Sequence, residues 1–85
     1  FMAYKQLTKL IREKIQRKET IETKVLNLYE ASNPSFYYVY EVLGDYYAAI
    51  QQTDTAITYW QKALTMPIPK QAEKVRIQQK INKNQ

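Results

Sequence analysis

Glycine and proline, the residues that most often interrupt helices, are scarce in this chain. It has one glycine and three prolines in 85 residues, and residues 2–31 contain neither. Alanine, leucine, lysine, glutamate and glutamine, which helices readily accept, are plentiful. A chain of this length supports one small domain at most. The sequence therefore predicts a single all-α domain over residues 1–85.

Spacing of the apolar residues divides this domain into helical segments. Residues 1–31 carry apolar side chains at 3-and-4 spacing on one common face, which favours one long helix, with a bend or break at 16–20 as the alternative. The SNPS turn ends this segment, and Pro34 begins a helical hairpin over 34–66 that is divided by QQTDT. After the PIP stop, a last helix over 69–82 has only a ragged apolar face.

Cysteine and histidine are both absent from the sequence. Their absence removes disulfides, thiolate and imidazole metal ligands, cysteine nucleophiles and the most common general base. Glu41 and Asp45, one helical turn apart, are the remaining candidates for an acid–base or metal site, but no glycine-rich loop accompanies them. We therefore predict no enzymatic activity, no metal and no cofactor. No apolar stretch approaches the roughly 20 residues that span a bilayer, so we predict no membrane partner.

The single glycine lies inside an apolar run, where it costs up to about 1 kcal/mol relative to alanine. Seven residues, the glycine among them, fall in register within a single repeat unit: Tyr40, Leu43, Gly44, Tyr47, Ala56, Trp60 and Ala63. This pattern, over about 37–69, resembles the tetratricopeptide repeat (TPR). The resemblance implies that small residues let two antiparallel helices approach closely at Gly44, while Trp60 fills the space around them. Moving the pattern upstream by one repeat length finds no second repeat, so we expect the first and last helices to cover the hairpin as a partner helix and a capping helix.

The resemblance also implies a ligand-facing side on the first hairpin helix, presented by Tyr38, Glu41, Asp45 and Ala48. The family's best-known peptide-binding version has Lys, Arg and Asn there. Acidic residues at Glu41 and Asp45 argue against capture of a carboxylate and favour a basic or neutral partner, and a solvated face is the alternative. Tyr37, Tyr38 and Tyr46 lie off the main packing face, and surface tyrosines are favoured at interfaces.

The predicted function is protein–protein interaction or assembly, as an accessory module at the C-terminal end of a larger protein. The partner is another protein chain, the parent's own domain or a second copy in a homodimer. A basic nucleic-acid-binding module is one alternative, because the net charge is +5 and four cations follow one stripe: Lys5, Lys9, Arg12 and Arg17. Interleaved glutamates and the lack of a recognisable motif disfavour it. The other alternative is a structural appendix that stabilises its parent, possibly a hydrolase domain.

Overall fold

The computed structural model describes residues 3–85. They form five helices: α1 (Tyr4–Arg17), α2 (Thr23–Ser32), α3 (Tyr37–Ala49), α4 (Thr53–Leu64) and α5 (Gln71–Asn84). No strand occurs within this range. The prediction of an all-α fold is confirmed.

The expectation of one long helix over residues 1–31 is wrong, and the alternative, a break near 16–20, is what the structure shows. Helix α1 ends at Arg17, and Lys18 takes the left-handed conformation with φ of 55°. The backbone N–H of Glu19 then bonds to the carbonyl of Lys14 at 3.0 Å, which is the Schellman ending of a helix. A continuous helix over this segment would be about 45 Å long, whereas the longest dimension of the molecule is 33 Å. The break lets α2 fold back onto α1 and bury its own apolar side chains.

Helices α3 and α4 form an antiparallel hairpin. Three contacts define its direction: Tyr59 stacks on Tyr47, Trp60 meets Gly44, and the Lys62 ammonium lies 4.6 Å from the centroid of the Tyr40 ring. The hairpin begins at Tyr37 rather than at Pro34, because Phe36 is the N-cap residue. Its second helix ends at Leu64, slightly before the predicted end of the hairpin.

Helices α1, α3 and α5 run in the same direction. Along α1 and α3, Tyr4 packs edge-on against Phe36, and further along Arg12 reaches Asp45. Along α5 and α3, Arg76 and then Lys80 reach successive carboxylates. The three helices begin at Tyr4, Tyr37 and Gln71, which are spaced almost equally along the chain. The search for a second repeat in the sequence did not reveal this regular spacing, because the residues one repeat length upstream do not match the pattern.

The core surrounds α3 on most of its sides. Eight of the 13 residues of α3 are buried, including Val39, Val42 and Leu43 on faces that point to different neighbours. Tyr37 and Tyr46, which the sequence placed at the surface, are only 5% and 3% exposed. The hydroxyl of Tyr46 accepts the backbone N–H of Ile21 at 2.9 Å, beside the turn between α1 and α2. Two of the three tyrosines expected at the surface, which we call the tyrosine edge, are therefore part of the interior, and Tyr38 alone stays partly exposed.

Helix α5 is attached by a small apolar face and by charge. Ile77 and Ile81 are its two buried residues, whereas Val75 is 44% exposed. The helix continues to Asn84, slightly past the predicted end. Helix α5 packs most closely against α4, and ion pairs join it to α3.

Candidate functional site

The four residues predicted to face a partner lie on the side of α3 that is flanked by α1 and α5. Tyr38, Asp45 and Ala48 are half-buried there, and Glu41 is buried. Arg12 of α1 approaches this strip from one side, and Lys80 of α5 approaches it from the other. The structure therefore brings the predicted residues together, but beneath cations from two other helices.

Glu41 is not available to a partner in this structure. It is 1% exposed, and both of its carboxylate oxygens are bonded to α5. Arg76 donates two hydrogen bonds in the bidentate arrangement, from Nε to Oε2 at 2.8 Å and from Nη2 to Oε1 at 2.7 Å. Lys80 Nζ adds a third hydrogen bond to Oε2 at 2.8 Å. The sequence-based placement of Glu41 on an open face is wrong, because α5 covers it.

Asp45 joins three helices to α3 through one carboxylate. Lys80 Nζ lies 2.9 Å from Oδ1 and 3.1 Å from Oδ2, and the Arg12 Nη1 atom lies 3.6 Å from Oδ2. The indole N–H of Trp60 in α4 also reaches Oδ1, at 3.2 Å. Because α1, α4 and α5 all meet this side chain, Asp45 helps to fix their positions around α3.

The electrostatics of Glu41 reflect this pairing. Burial alone would raise its pKa, but the hydrogen bonds from Arg76 and Lys80 outweigh burial and hold the pKa of Glu41 below its ordinary value. The same hydrogen bond raises the pKa of Arg76 further above its already high range. Glu41 is therefore an ionised structural carboxylate rather than a proton donor or acceptor poised near neutral pH.

Tyr37 and Tyr38 differ in their surroundings although they are adjacent. Burial, followed by the neighbouring Glu73, raises the pKa of the Tyr37 hydroxyl to about 12. The Tyr38 hydroxyl lies at the edge of the strip and accepts a long hydrogen bond of 3.4 Å from Arg12 Nη1. Tyr38 is therefore the aromatic side chain of the predicted set that remains partly open to solvent.

Sequence reasoning missed Arg76 and Lys80. Both lie on α5, far along the chain from Glu41 and Asp45, so no local pattern connects them to α3. A signal does exist, because Arg76 and Lys80 repeat the i, i+4 spacing of Glu41 and Asp45 with opposite charge. Two helices that run in the same direction can satisfy both pairs at once.

No other constellation competes for the role of a site in the described part of the chain. A shallow depression of about 380 Å³ lies at the α3–α4 turn, lined by Gln51, Gln52, Thr53, Asp54 and Thr55. Residues 3–85 contain no group of three or more acidic, histidine or cysteine side chains placed to hold a metal ion. Within the same range, no helix has the length and apolar character needed to cross a membrane.

Comparison with known proteins leaves the tetratricopeptide resemblance as a prediction. The chain matches no protein-family model, no curated protein and no solved structure.

Proposed function

We propose that this chain is a non-catalytic helical module for protein–protein interaction or assembly, of the tetratricopeptide-like kind. The observation that supports it most is the saturation of the site's carboxylates by cations of the same chain. Glu41 receives three hydrogen bonds from Arg76 and Lys80, and Asp45 is contacted by Lys80 and Arg12. Carboxylates paired in this way hold helices in place, and their cationic partners disfavour both a bound metal ion and acid–base chemistry at the same oxygens.

The binding surface under this proposal is the face made by α1, α3 and α5. The strip of α3 that stays partly open, with Tyr38, Asp45 and Ala48, runs between the two flanking helices. Its geometry is fixed by ion pairs and by the Trp60 hydrogen bond to Asp45. A preorganised surface of this kind loses little conformational entropy on binding.

The test is a binding screen with the site mapped at single-residue level. A fluorescent panel of synthetic peptides, equal in length and covering acidic, basic and neutral compositions, is titrated against the chain by anisotropy. Amide shifts of the ¹⁵N-labelled chain then locate any binder. We expect shifts concentrated at Tyr38, Asp45, Ala48 and the adjoining turns of α1 and α5. Failure of every peptide class to bind would overturn the proposal, as would shifts confined to the α2–α4 side.

A further inference from the structure

The face made by α1, α3 and α5 presents positive charge to solvent, whereas the acidic residues of α3 in the sequence indicate negative charge. Glu41 and Asp45 are acidic, but Glu41 is buried and Asp45 is largely covered by the cations that bind it. The cations lie above them and keep substantial exposure, with 45% of the Arg76 side chain and 49% of the Arg12 side chain open to solvent. A partner approaching α3 therefore meets guanidinium and ammonium groups first.

Other cations extend the surface along both flanking helices. Lys5 and Lys9 precede Arg12 by seven and three residues, which places all three on one face of α1. Lys83 follows Arg76 by seven residues on the corresponding face of α5. Lys5, Lys9 and Lys83 are exposed, and none of them forms an ion pair within residues 3–85. We define the cationic face by its six members: Lys5, Lys9, Arg12, Arg76, Lys80 and Lys83.

The carboxylates on this side of the molecule do not neutralise the cationic face. Besides Glu41 and Asp45 they include Glu73, which precedes Arg76 by three residues on α5 and neighbours Tyr37 of α3. Six cations against these three carboxylates leave a local charge of +3, out of +5 for the whole chain. Glu13 is the one acidic residue of α1, and it lies one turn after Lys9 on the side away from Arg12. The excess positive charge of the molecule is therefore concentrated on the α1–α3–α5 side.

We propose that the cationic face binds an acidic protein segment whose carboxylates recur one helical turn apart. This inference rests on the proposed interaction function and assigns the partner's chemistry. Lys5 and Lys9, one turn apart and unpaired, match carboxylates at i and i+4 of such a segment. The other cations keep their partners within the chain and supply a positive electrostatic potential that steers and orients the acidic segment; they are Arg12, Arg76 and Lys80.

A protein segment fits this surface better than a nucleic acid. Three of the six cations already share carboxylates of the chain, so they offer phosphates only part of their charge. Binding of a polyanionic backbone depends on releasing counterions from many phosphates, which calls for a longer run of unpaired cations. A segment with two or three carboxylates needs only two or three cationic partners, and the free lysines and the half-exposed guanidinium groups provide them.

The experiment uses the whole chain and three defined probes. The first is a fluorescent helical peptide with glutamates at i, i+3 and i+4 repeats, and the second is the same peptide with every glutamate replaced by glutamine. The third is a single-stranded oligonucleotide of matched length. Dissociation constants are measured by anisotropy at 50 and 300 mM NaCl. We expect the acidic peptide to bind at least tenfold more tightly than its glutamine counterpart, and more tightly than the oligonucleotide at the higher salt concentration.

A pair of charge-reversed variants locates the binding. Lys5→Glu with Lys9→Glu should weaken binding of the acidic peptide at least tenfold. The control, Lys24→Glu with Lys74→Glu, makes the same change in net charge at exposed residues outside the face and should weaken binding less than threefold. Lys24 lies on α2, and Lys74 precedes Arg76 by two residues, about 200° around the helix. Equal effects of the two pairs would show net charge acting without a site and would overturn the proposal.

The remaining outcomes separate this inference from the proposed function. Binding of neutral or basic peptides at the α1–α3–α5 side, without binding of the acidic peptide, would contradict the assignment of an acidic partner and leave the interaction function standing. Tighter binding of the oligonucleotide than of any peptide would replace the acidic protein with a nucleic acid. Absence of binding to every probe and every peptide class would contradict both.

Discussion

The indole of Trp60 occupies the space into which a side chain at Gly44 would project. A Cβ built on Gly44 would overlap the Nε1 and Cδ1 atoms of the indole and would lie 2.9 Å from Cε2. The ring cannot turn aside freely, because its N–H donates to the backbone carbonyl of Glu41 and to the Asp45 carboxylate, each at 3.2 Å. The single glycine of the chain is therefore needed for the close approach of α4 to α3.

Gly44→Ala should destabilise the domain, although alanine is the better helix former. Overpacking costs about 1–3 kcal/mol, which exceeds the gain of up to about 1 kcal/mol in helix propensity. Gly44→Leu should cost more. Combining Gly44→Ala with Trp60→Leu, which replaces the indole with a smaller side chain that has no ring, should recover part of the loss. Urea unfolding of the two single variants and the double variant measures this coupling, and additive free energies would contradict the contact.

Trp60→Ala should remove a large part of the stability of the domain. Trp60 is 2% exposed and connects α4 to α3 through both apolar contact and hydrogen bonds. Truncating a buried tryptophan costs about 3–5 kcal/mol, against an expected total of about 4–13 kcal/mol for a chain of this length. Thermal melting followed by circular dichroism measures the change. A decrease of only a few degrees would show that Trp60 contributes little to the core.

The pairing of α3 and α4 was predicted from the repeat resemblance, which is carried by residues of one stretch of the chain. That resemblance implied a close helix crossing at Gly44, with Trp60 filling the space around it. The break at Lys18 was harder to place, because Ile15 and Ile21 continue the same apolar stripe across it and no glycine marks the left-handed residue. The expectation of surface tyrosines was wrong at two positions, because Tyr46 packs beside the α1–α2 turn and Tyr37 lies against Glu73 and Arg76 of α5.

The candidate site depended on long-range pairing that composition does not specify. Sequence reasoning places Glu41 at the surface, since carboxylates are almost never buried unless paired. Its partners, Arg76 and Lys80, lie on α5, and their position follows from the direction in which α5 runs along α3. The sequence therefore placed Glu41 and Asp45 on the same side of α3, as the structure has them, but missed the cations that cover them and with these the sign of the exposed charge.

Removing the cations that pair with Glu41 should destabilise the domain more than removing the Glu41 charge itself. Arg76→Met with Lys80→Met leaves Glu41 buried without a partner, which should cost about 3–5 kcal/mol. Glu41→Gln should cost only about 1–2 kcal/mol, because Arg76 and Lys80 are 45% and 30% exposed and can turn to solvent. Arg12→Met, as a control, removes a half-exposed guanidinium group from the longer 3.6 Å pair with Asp45, which keeps Lys80, and should cost less than about 1 kcal/mol. Chemical denaturation decides the order, and a larger loss for Glu41→Gln than for the double variant would contradict it.

Stability should fall in acid through Glu41. Its folded pKa is lowered below the ordinary value of 4.5, so its contribution is fully present above that pH and is lost as the pH falls through the folded pKa. Melting temperatures measured from pH 6 to pH 2 should therefore decline below about pH 4.5. The decline should be shallower for Glu41→Gln, which has no proton to gain at this position. Melting-temperature profiles of the same shape for the two proteins would show that Glu41 is not the cause of the loss of stability in acid.

Self-association remains a prediction, but the structure points to a different dimer surface from the one expected from the sequence. Tyr37 and Tyr46, on which the expected tyrosine edge depended, are buried. Leu28 on α2 is the most exposed large apolar side chain of the described residues, at 59%, and Val75 on α5 follows at 44%. A two-fold dimer that buries Leu28 against its copy would leave the cationic face free, because α2 lies beside α4, where Glu30 pairs with Lys62. Sedimentation from 5 to 500 μM should show a weak dimer that Leu28→Glu abolishes and Val75→Glu leaves intact. A monomer throughout this range, or a dimer indifferent to Leu28→Glu, would contradict the prediction.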